Sequence, residues 1–278
     1  MPENARVARP QRAASRWGTF AAALFVPDRA FAGGGAERIP KAGVCVLAFL
    51  LVVAGARLGA GTELTPQSQS LAMAEFDARF GSFFRGAPAD VQAQARERMG
   101  AAALGSASGL ALAFTLALRG AWFVLSVIEL WLLGLIATQF FGGQEERGAD
   151  GLRPSLGLFL AASVPMAARR LLAGLVAALR SPEAATNALT LSEFRVAAAV
   201  RFDLLSLAGA RDPAPFVAAF VRPLTDPFVL WAIVILLLGG REVFRLRMKG
   251  AVGQVLVLVA VAGLQSWLLG RAGIPWEL

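Results

Sequence analysis

Four charged side chains interrupt or border long apolar runs, and they are the residues best placed for chemistry in this chain. Glu129, Arg169 and Arg170 lie within such runs, and Asp226 stands just before another, followed by a proline. A charge surrounded by hydrocarbon is costly unless it is paired, so intramembrane charges mark either structural clasps or polar paths. The first three therefore form a candidate intramembrane polar cluster.

The positions of these charges along their helices predict a pair. At 1.5 Å per residue, Glu129 and Arg169 lie about 20 Å from the cytoplasmic ends of their helices, so that their depths agree within about 3 Å. We expect Glu129 to face Arg169 or Arg170, as a clasp or as part of a polar path. The alternative is a helix displaced toward the outer interface, with both arginines snorkelling. Asp226 is predicted to cap its helix, the alternative being an ion or proton site.

Several classes of catalytic site are excluded by missing residue types. The chain contains no histidine and no tyrosine, and its single cysteine is Cys45. This rules out an intrachain disulfide, a Cys/His zinc site and a histidine-based triad. The glycines at 33–35 and 142–143 lack the Lys-Ser/Thr that follows a phosphate-binding loop, so they are interpreted as flexible joints. We predict no catalytic residues, no cofactor and no metal site.

The composition is that of a membrane protein. Hydrophobic residues make up 56% of the chain and charged residues 17%, whereas soluble domains have about 45–50% and about 25%. The net charge of +8 lies largely beside apolar runs, where it attracts anionic lipid and sets topology. We therefore expect membrane lipids, and no nucleic acid, as partners. Heavy use of Ala, Arg and Gly suggests a bacterial genome of high GC content.

The fold class predicted from the apolar runs is an all-α, polytopic membrane helical bundle with amphipathic interfacial helices. Basic residues between Arg241 and Lys249 are typical of a cytoplasmic loop. With the N-terminus also cytoplasmic, this loop requires five transmembrane helices and an external tail at 270–278. Six result if the run from 100 to 141 divides at Arg119-Gly120. The five spans are predicted at 42–60, 105–141, 154–179, 224–239 and 251–269.

The regions outside the spans are mostly polar or amphipathic. Residues 1–16 are predicted to be a disordered cytoplasmic tail. Residues 17–41 are predicted to be an interfacial segment, although a signal peptide ending at Ala32 is the alternative. Amphipathic helices are predicted at 89–99 and 188–208.

Glycine pairs with small-xxx-small spacing occur at Gly55/Gly59 and Gly105/Gly109. Without side chains, such pairs allow two helix backbones to approach closely in lipid. We predict that they serve packing inside the bundle and not dimerisation.

Four short stretches of the sequence stand out in order along the chain. They are Phe25-Val-Pro-Asp-Arg-Ala-Phe31, Gly142-Gly143, Ser163-Val-Pro165 and Asp226-Pro-Phe228 with Leu230-Trp231 and Gly239. Together they resemble the Yip family, named for interaction with Ypt/Rab GTPases. That family combines a Pro-Arg-x-x-Phe motif before the first span, a Gly-Gly turn, a mid-span proline and an Asp-x-Phe-x-x-Trp fourth span ending at a glycine. The resemblance implies five spans and supplies no catalytic residues.

The favoured hypothesis is a non-enzymatic accessory or scaffold protein of a bacterial inner membrane, with a Yip-like domain at 42–269. Its expected partners are lipids and other membrane proteins, such as subunits of an ABC-type exporter. A second hypothesis is a small channel or transporter that uses Glu129, Arg169 and Arg170 as a polar path. An intramembrane enzyme is the least supported, because no histidine or paired-carboxylate motif is present.

Overall fold

The computed structural model describes residues 15–63, 88–104, 110–141, 152–180, 200–207 and 217–271, with a few single residues elsewhere. Within these residues all regular structure is helical, and no strand occurs. Four of the described helices are long and apolar enough to cross a membrane, so the protein is a multi-pass integral membrane protein. These candidate spans are Lys41–Ala60, Leu112–Phe141, Leu152–Leu179 and Met248–Leu268.

The described helices vary widely in length. A 3₁₀ turn, Ala32–Gly34, joins the second and third helices, and a π-helical turn, Val217–Val221, precedes the ninth. The helices are α1 Arg16–Phe25, α2 Pro27–Phe31, α3 Gly35–Arg38, α4 Lys41–Glu63, α5 Ala89–Leu104, α6 Leu110–Phe141, α7 Leu152–Leu179, α8 Leu204–Leu207, α9 Arg222–Leu224, α10 Pro227–Val243 and α11 Met248–Arg271.

The long apolar run before residue 142 forms one continuous span. α6 passes through Arg119 and Gly120 without a break, which confirms a single helix over a divided one. The described part of α6 begins at Leu110. Residues 105–109, where the predicted span starts, lie outside the described residues.

α10 differs from its predicted bounds of 224–239 at both ends. It begins at Pro227, because Asp226 is its N-cap and proline is favoured in the first turn. It continues through Gly239 and Gly240 to Val243. Gly239 does not end the helix but gives room to its neighbours, since a Cβ there would lie 2.7 Å from the Phe31 ring.

α7 is the central helix of the bundle. It packs against α4 and α10 over much of its length and also contacts α3 and α6. Half of this span (50%) is buried inside the protein, against 22–28% for the other three candidate spans. It is also the least apolar of the four. Since its neighbours are protein more than lipid, α7 tolerates Pro165, Arg169 and Arg170 within it.

The contacts between helices define two ends of the bundle. Ser155 near the start of α7 bonds to Trp131 of α6, and Gly250 near the start of α11 lies beside the last residue of α6. At this end, which we call the Lys41 end, α4, α7 and α11 begin and α6 and α10 finish. The opposite end, where α10 begins and α7 finishes, is the Asp226 end.

Glycine contact brings α4 and α7 together. A Cβ on Gly55 would clash with the backbone of Arg170 and lie 2.8 Å from the Leu171 nitrogen, while a Cβ on Gly59 would meet Gly174 Cα at an ordinary 3.8 Å. The prediction that this pair packs inside the bundle is confirmed. Gly105 and Gly109 lie outside the described residues.

The N-terminal helices α1 to α3 form a hairpin on the Lys41 end of the bundle. α1 starts beside Gly43 of α4, where the Trp17 ring packs, and rises about 15 Å along the bundle toward α10. After α2 the chain turns at Gly34, whose φ of +81° is open to glycine without strain. α3 then returns along α7, with the Ala36 carbonyl against Gly157.

The hairpin belongs to the hydrophobic core. Phe20, Phe31 and Ile39 pack in one buried cluster with Leu158 of α7 and Ile235 of α10. The stretch considered as a cleavable leader thus supplies core side chains. Removing it would expose apolar surface on both α7 and α10.

Two further predictions concern helices outside the spans. The helix predicted at 89–99 is present as part of α5. The helix predicted at 188–208 falls mostly outside the described residues, and within its described part the helix is α8. The tail at 1–14, the glycines at 142–143 and the residues after 271 also lie outside them.

Gly55→Ala should destabilise the bundle by about 1–3 kcal/mol, because the added methyl group forces the α4 and α7 backbones apart. Gly59→Ala is the matched control, since its methyl group makes an ordinary contact and alanine favours the helix. Thermal unfolding of both variants in the same detergent measures the difference. Equal melting temperatures would contradict the close crossing at Gly55.

Candidate functional site

The candidate site lies where α10 begins, and its centre is the carboxylate of Asp226. This side chain is 2% exposed. Its Oδ1 accepts a hydrogen bond from the Phe228 nitrogen at 2.9 Å, which satisfies one of the free amides of the first turn. The predicted helix cap is confirmed.

The second oxygen of the same carboxylate holds an arginine from α7. Nε of Arg169 donates to Oδ2 of Asp226 at 2.6 Å, and the Arg169 side chain is 21% exposed. Charge-assisted hydrogen bonds of this length are about twice as strong as neutral ones. One carboxylate therefore starts α10 and ties it to α7.

A second ion pair joins Arg222, about one helical turn before Asp226, to Asp203, which lies earlier in the chain. Nε of Arg222 donates to Oδ1 of Asp203 at 3.1 Å, and both side chains are largely buried. Asp203 also accepts from the Ser206 amide at 2.9 Å and from the Ser206 hydroxyl at 2.7 Å. Burial raises the pKa of the Asp203 carboxyl, but the bonds from Ser206 and the charge of Arg222 outweigh it and hold that pKa below its usual range.

Backbone and ring contacts join this second pair to the first. The Leu204 nitrogen donates to the Thr225 carbonyl at 3.3 Å, directly before the cap residue Asp226. The rings of Phe202 and Phe228 meet edge to face, with centroids 5.6 Å apart. The segment at 201–207 is thus fastened over the start of α10.

The partner predicted for Arg169 was wrong. Asp226 binds Arg169, whereas the Glu129 carboxylate accepts a hydrogen bond from the Gln265 amide of α11. Arg170 lies where α7 crosses α4, with its backbone against Gly55. The predicted pair matched the two residues in depth, but α6 packs mainly on α4 and α11 while α7 packs mainly on α4 and α10.

Polar side chains elsewhere in the bundle also join helices in pairs. Gln254 of α11, 2% exposed, donates to the Gly134 carbonyl of α6 at 3.0 Å. Trp131 of α6 donates to the hydroxyl of Ser155 in α7 at 2.9 Å. Interhelical hydrogen bonds in membranes contribute about 0.6 kcal/mol on average, so each of these pairs adds modestly to the bundle.

Comparison with known protein families, with curated proteins and with solved structures found no match. The role of the site must therefore be inferred from the chemistry of its own residues. Among the described residues, no three His, Cys, Asp or Glu side chains converge in a metal-binding group. In both ion pairs at the start of α10, the carboxylate is matched by a guanidinium. Ion pairs of this kind hold neighbouring segments in fixed positions relative to one another.

Sequence reasoning missed the pair of Asp203 and Arg222. The signal was present, because an aspartate three residues before a serine, followed by apolar residues, is a common helix start. Within the longer amphipathic pattern predicted at 188–208, this local cap was overlooked. Its arginine partner lies beyond two prolines and could not be assigned from spacing.

Replacing either partner of the first ion pair should destabilise the protein more than replacing both. Arg169→Gln or Asp226→Asn leaves a buried charge without its counter-charge, at a cost of about 3 kcal/mol, and the double variant should show a coupling of about 0.5–3 kcal/mol. Asparagine keeps the capping oxygen, so the cycle isolates the ion pair. Unfolding free energies in detergent measure it.

The same cycle with Glu129→Gln and Arg169→Gln is the control. Their side chains bind to different helices, so their effects should add within about 0.5 kcal/mol. Strong coupling in this control, or additivity in the first cycle, would contradict the partner assigned to Arg169.

The second ion pair should weaken in acid. A carboxyl whose pKa is lowered by folding stabilises the folded form above its usual pKa of 3.8, and this contribution is lost as the pH falls through the lower folded pKa. Hydrogen exchange at 201–207, corrected for intrinsic rates, should therefore accelerate below about pH 4. Asp203→Asn should show fast exchange already at pH 6. An unchanged pH profile in this variant would contradict the role of Asp203.

Proposed function

We propose that this protein is a non-enzymatic accessory or scaffold protein with five transmembrane helices, acting in a bacterial inner membrane through contacts with lipids and partner helices. The observation that carries the proposal is the pairing of Arg169 with Asp226. The charges that interrupt the apolar runs are used to fasten helices to one another. A rigid bundle of paired charges suits a protein that presents surfaces to others.

The direction of the chain supports α10 as the fifth span. α7 runs from the Lys41 end to the Asp226 end, whereas α11 starts again at the Lys41 end. The chain must therefore return across the membrane between them, and α10 runs in that direction. Its 17 residues extend about 25 Å, close to the thickness of a hydrocarbon core.

Two of the stretches that resemble Yip motifs contact each other. Phe31, which ends the first motif, packs on Gly239 of the fourth-span motif. Trp231 of that motif donates its indole N–H to the Leu24 carbonyl at 2.7 Å, and its ring meets Phe25 with centroids 5.7 Å apart. The two motifs thus pack as one unit.

The surface offered to partners is the outer face of α6. Its large apolar side chains are exposed along the whole helix, as expected for a span that contacts lipid or another helix. A membrane protein such as an exporter subunit would pack against this face. The exposed residues are Phe114, Leu118, Trp122, Leu125, Ile136 and Phe140.

The proposed function predicts cross-linking from this face. A photoreactive side chain in place of Leu125, which is 56% exposed, should attach to one specific membrane protein in native membranes. The same group in place of Val127, which is 7% exposed, is the matched control and should give none. Mass spectrometry identifies the adduct.

Flux measurements decide between the scaffold and the channel or transporter. Liposomes containing the protein should show no more proton or solute flux than empty liposomes. Flux that is lost in Glu129→Gln would contradict the scaffold function and support a polar path.

The proposed topology places the Lys41 end in the cytoplasm. In a Cys45→Ser background, cysteines introduced at Ser15 and Met248 should react with an impermeant reagent only from the cytoplasmic side. A cysteine at Ala178, on the exposed end of α7, should react only from the opposite side. Labelling of positions 15 and 248 from different sides would contradict five spans.

A further inference from the structure

Three basic residues that are far apart in the sequence meet at the Lys41 end. Arg16 begins α1, Lys41 begins α4 and Arg153 is the second residue of α7. The Trp17 ring, next to Arg16, packs on Gly43, two residues after Lys41. The Ala36 carbonyl of α3 lies against Gly157 of α7, so α1, α4 and α7 begin close together and both guanidinium groups act on the charge of Lys41. We call Arg16, Lys41 and Arg153 the basic cluster.

The basic cluster has an excess of positive charge. Among the described residues, the acid that acts on Lys41 is Glu37, whose backbone carbonyl also accepts a hydrogen bond from the Lys41 ammonium at 3.2 Å. Two guanidinium groups and one carboxylate thus act on the Lys41 ammonium, so positive charge prevails around it. Like charges held together repel, and an anion bound between them relieves that repulsion.

The position of the basic cluster indicates which anion it binds. It lies where the two candidate spans Lys41–Ala60 and Leu152–Leu179 begin, so it is level with the headgroups of one membrane leaflet. Trp17, 51% exposed, packs beside it on Gly43. Tryptophan is enriched at this depth of a membrane, because its ring is apolar and its N–H is polar.

We infer that the basic cluster binds the phosphodiester headgroup of an anionic phospholipid. The phosphate oxygens accept from the guanidinium groups of Arg16 and Arg153 and from the ammonium of Lys41, and the acyl chains run along the bundle beside Trp17. Guanidinium groups suit this ligand, because their fork of donors matches the geometry of a phosphate. The bound lipid would then hold the hairpin, α4 and α7 together at the membrane surface.

Native mass spectrometry of the purified full chain, titrated with phosphatidylglycerol in detergent, tests this inference. The variant Arg16→Gln/Lys41→Gln/Arg153→Gln should bind phosphatidylglycerol about 100-fold more weakly than the wild type, since it loses three bonds to the phosphate that each contribute about a factor of five. The control Arg241→Gln/Arg247→Gln/Lys249→Gln loses the same charge from exposed positions and should keep the wild-type affinity.

Two further arms make the result decisive. The variant Arg16→Gln/Arg153→Gln keeps Lys41, which is half-buried, and is used if the triple variant does not fold. The affinity of this double variant for phosphatidylglycerol should fall by about 25-fold. Inorganic phosphate and glycerol phosphate at millimolar concentration should not displace the lipid. Displacement by either would make a soluble anion the ligand, and equal losses in the variant and the control would show non-specific attraction. Either outcome would overturn the inference, as would undiminished binding by the variants.

Discussion

The arrangement of the central helices depends on the two interactions that the carboxylate of Asp226 makes. One oxygen satisfies a free amide at the start of α10, and the other binds Arg169 in the middle of a different span. Either role alone would leave a buried charge or a buried amide unsatisfied, which is costly where water is scarce. Both costs are removed by one side chain. The register of α10 against α7 follows, because Asp226 binds Arg169 only where the two side chains lie next to each other.

Close approach of backbones explains the rest of the packing around α7. Gly157 and Gly174 on this helix, and Gly55 and Gly239 on its neighbours, leave no room for a Cβ. Apolar side chains give little preference for protein over lipid, so helices in a membrane gain from tight contact and from hydrogen bonds between them. α7 is therefore held by shape and by Asp226. This explains why the least apolar of the four candidate spans is also the most buried one.

Local patterns in the sequence were enough to predict the elements. The apolar runs, the cap at Asp226 and the glycines at 55 and 59 each depend on a few neighbouring residues, and they were predicted correctly apart from helix ends. Partners across the bundle were not predictable in the same way. Depth follows from the rise per residue, but the side of the helix that meets a neighbour depends on which helices pack together. For this reason Glu129 was matched in depth to Arg169, although Gln265 and Asp226 are their partners.

The hairpin of α1 to α3 shows the same limit. Its amphipathic first helix suggested a segment lying in the headgroup layer, and nothing in residues 16–39 alone reveals that Phe31 packs on Gly239 at the other end of the chain. The tripeptide of glycines that was interpreted as a flexible joint has a defined shape, with Gly34 in the left-handed region. Consecutive glycines permit a turn, but they do not determine its direction.

The ion pair between α7 and α10 also has a consequence for the order in which the chain enters the membrane. Arg169 and Asp226 are separated by 57 residues, so α7 is synthesised well before the carboxylate that compensates its charge. An arginine near the centre of a span opposes insertion by about 2.5–3.5 kcal/mol, and Pro165 weakens the helix further. The central helix of the finished protein is thus a weak inserter on its own. Asp226 can compensate the charge of Arg169 only after α10 has emerged, so that the last third of the chain supplies a counter-charge for the middle.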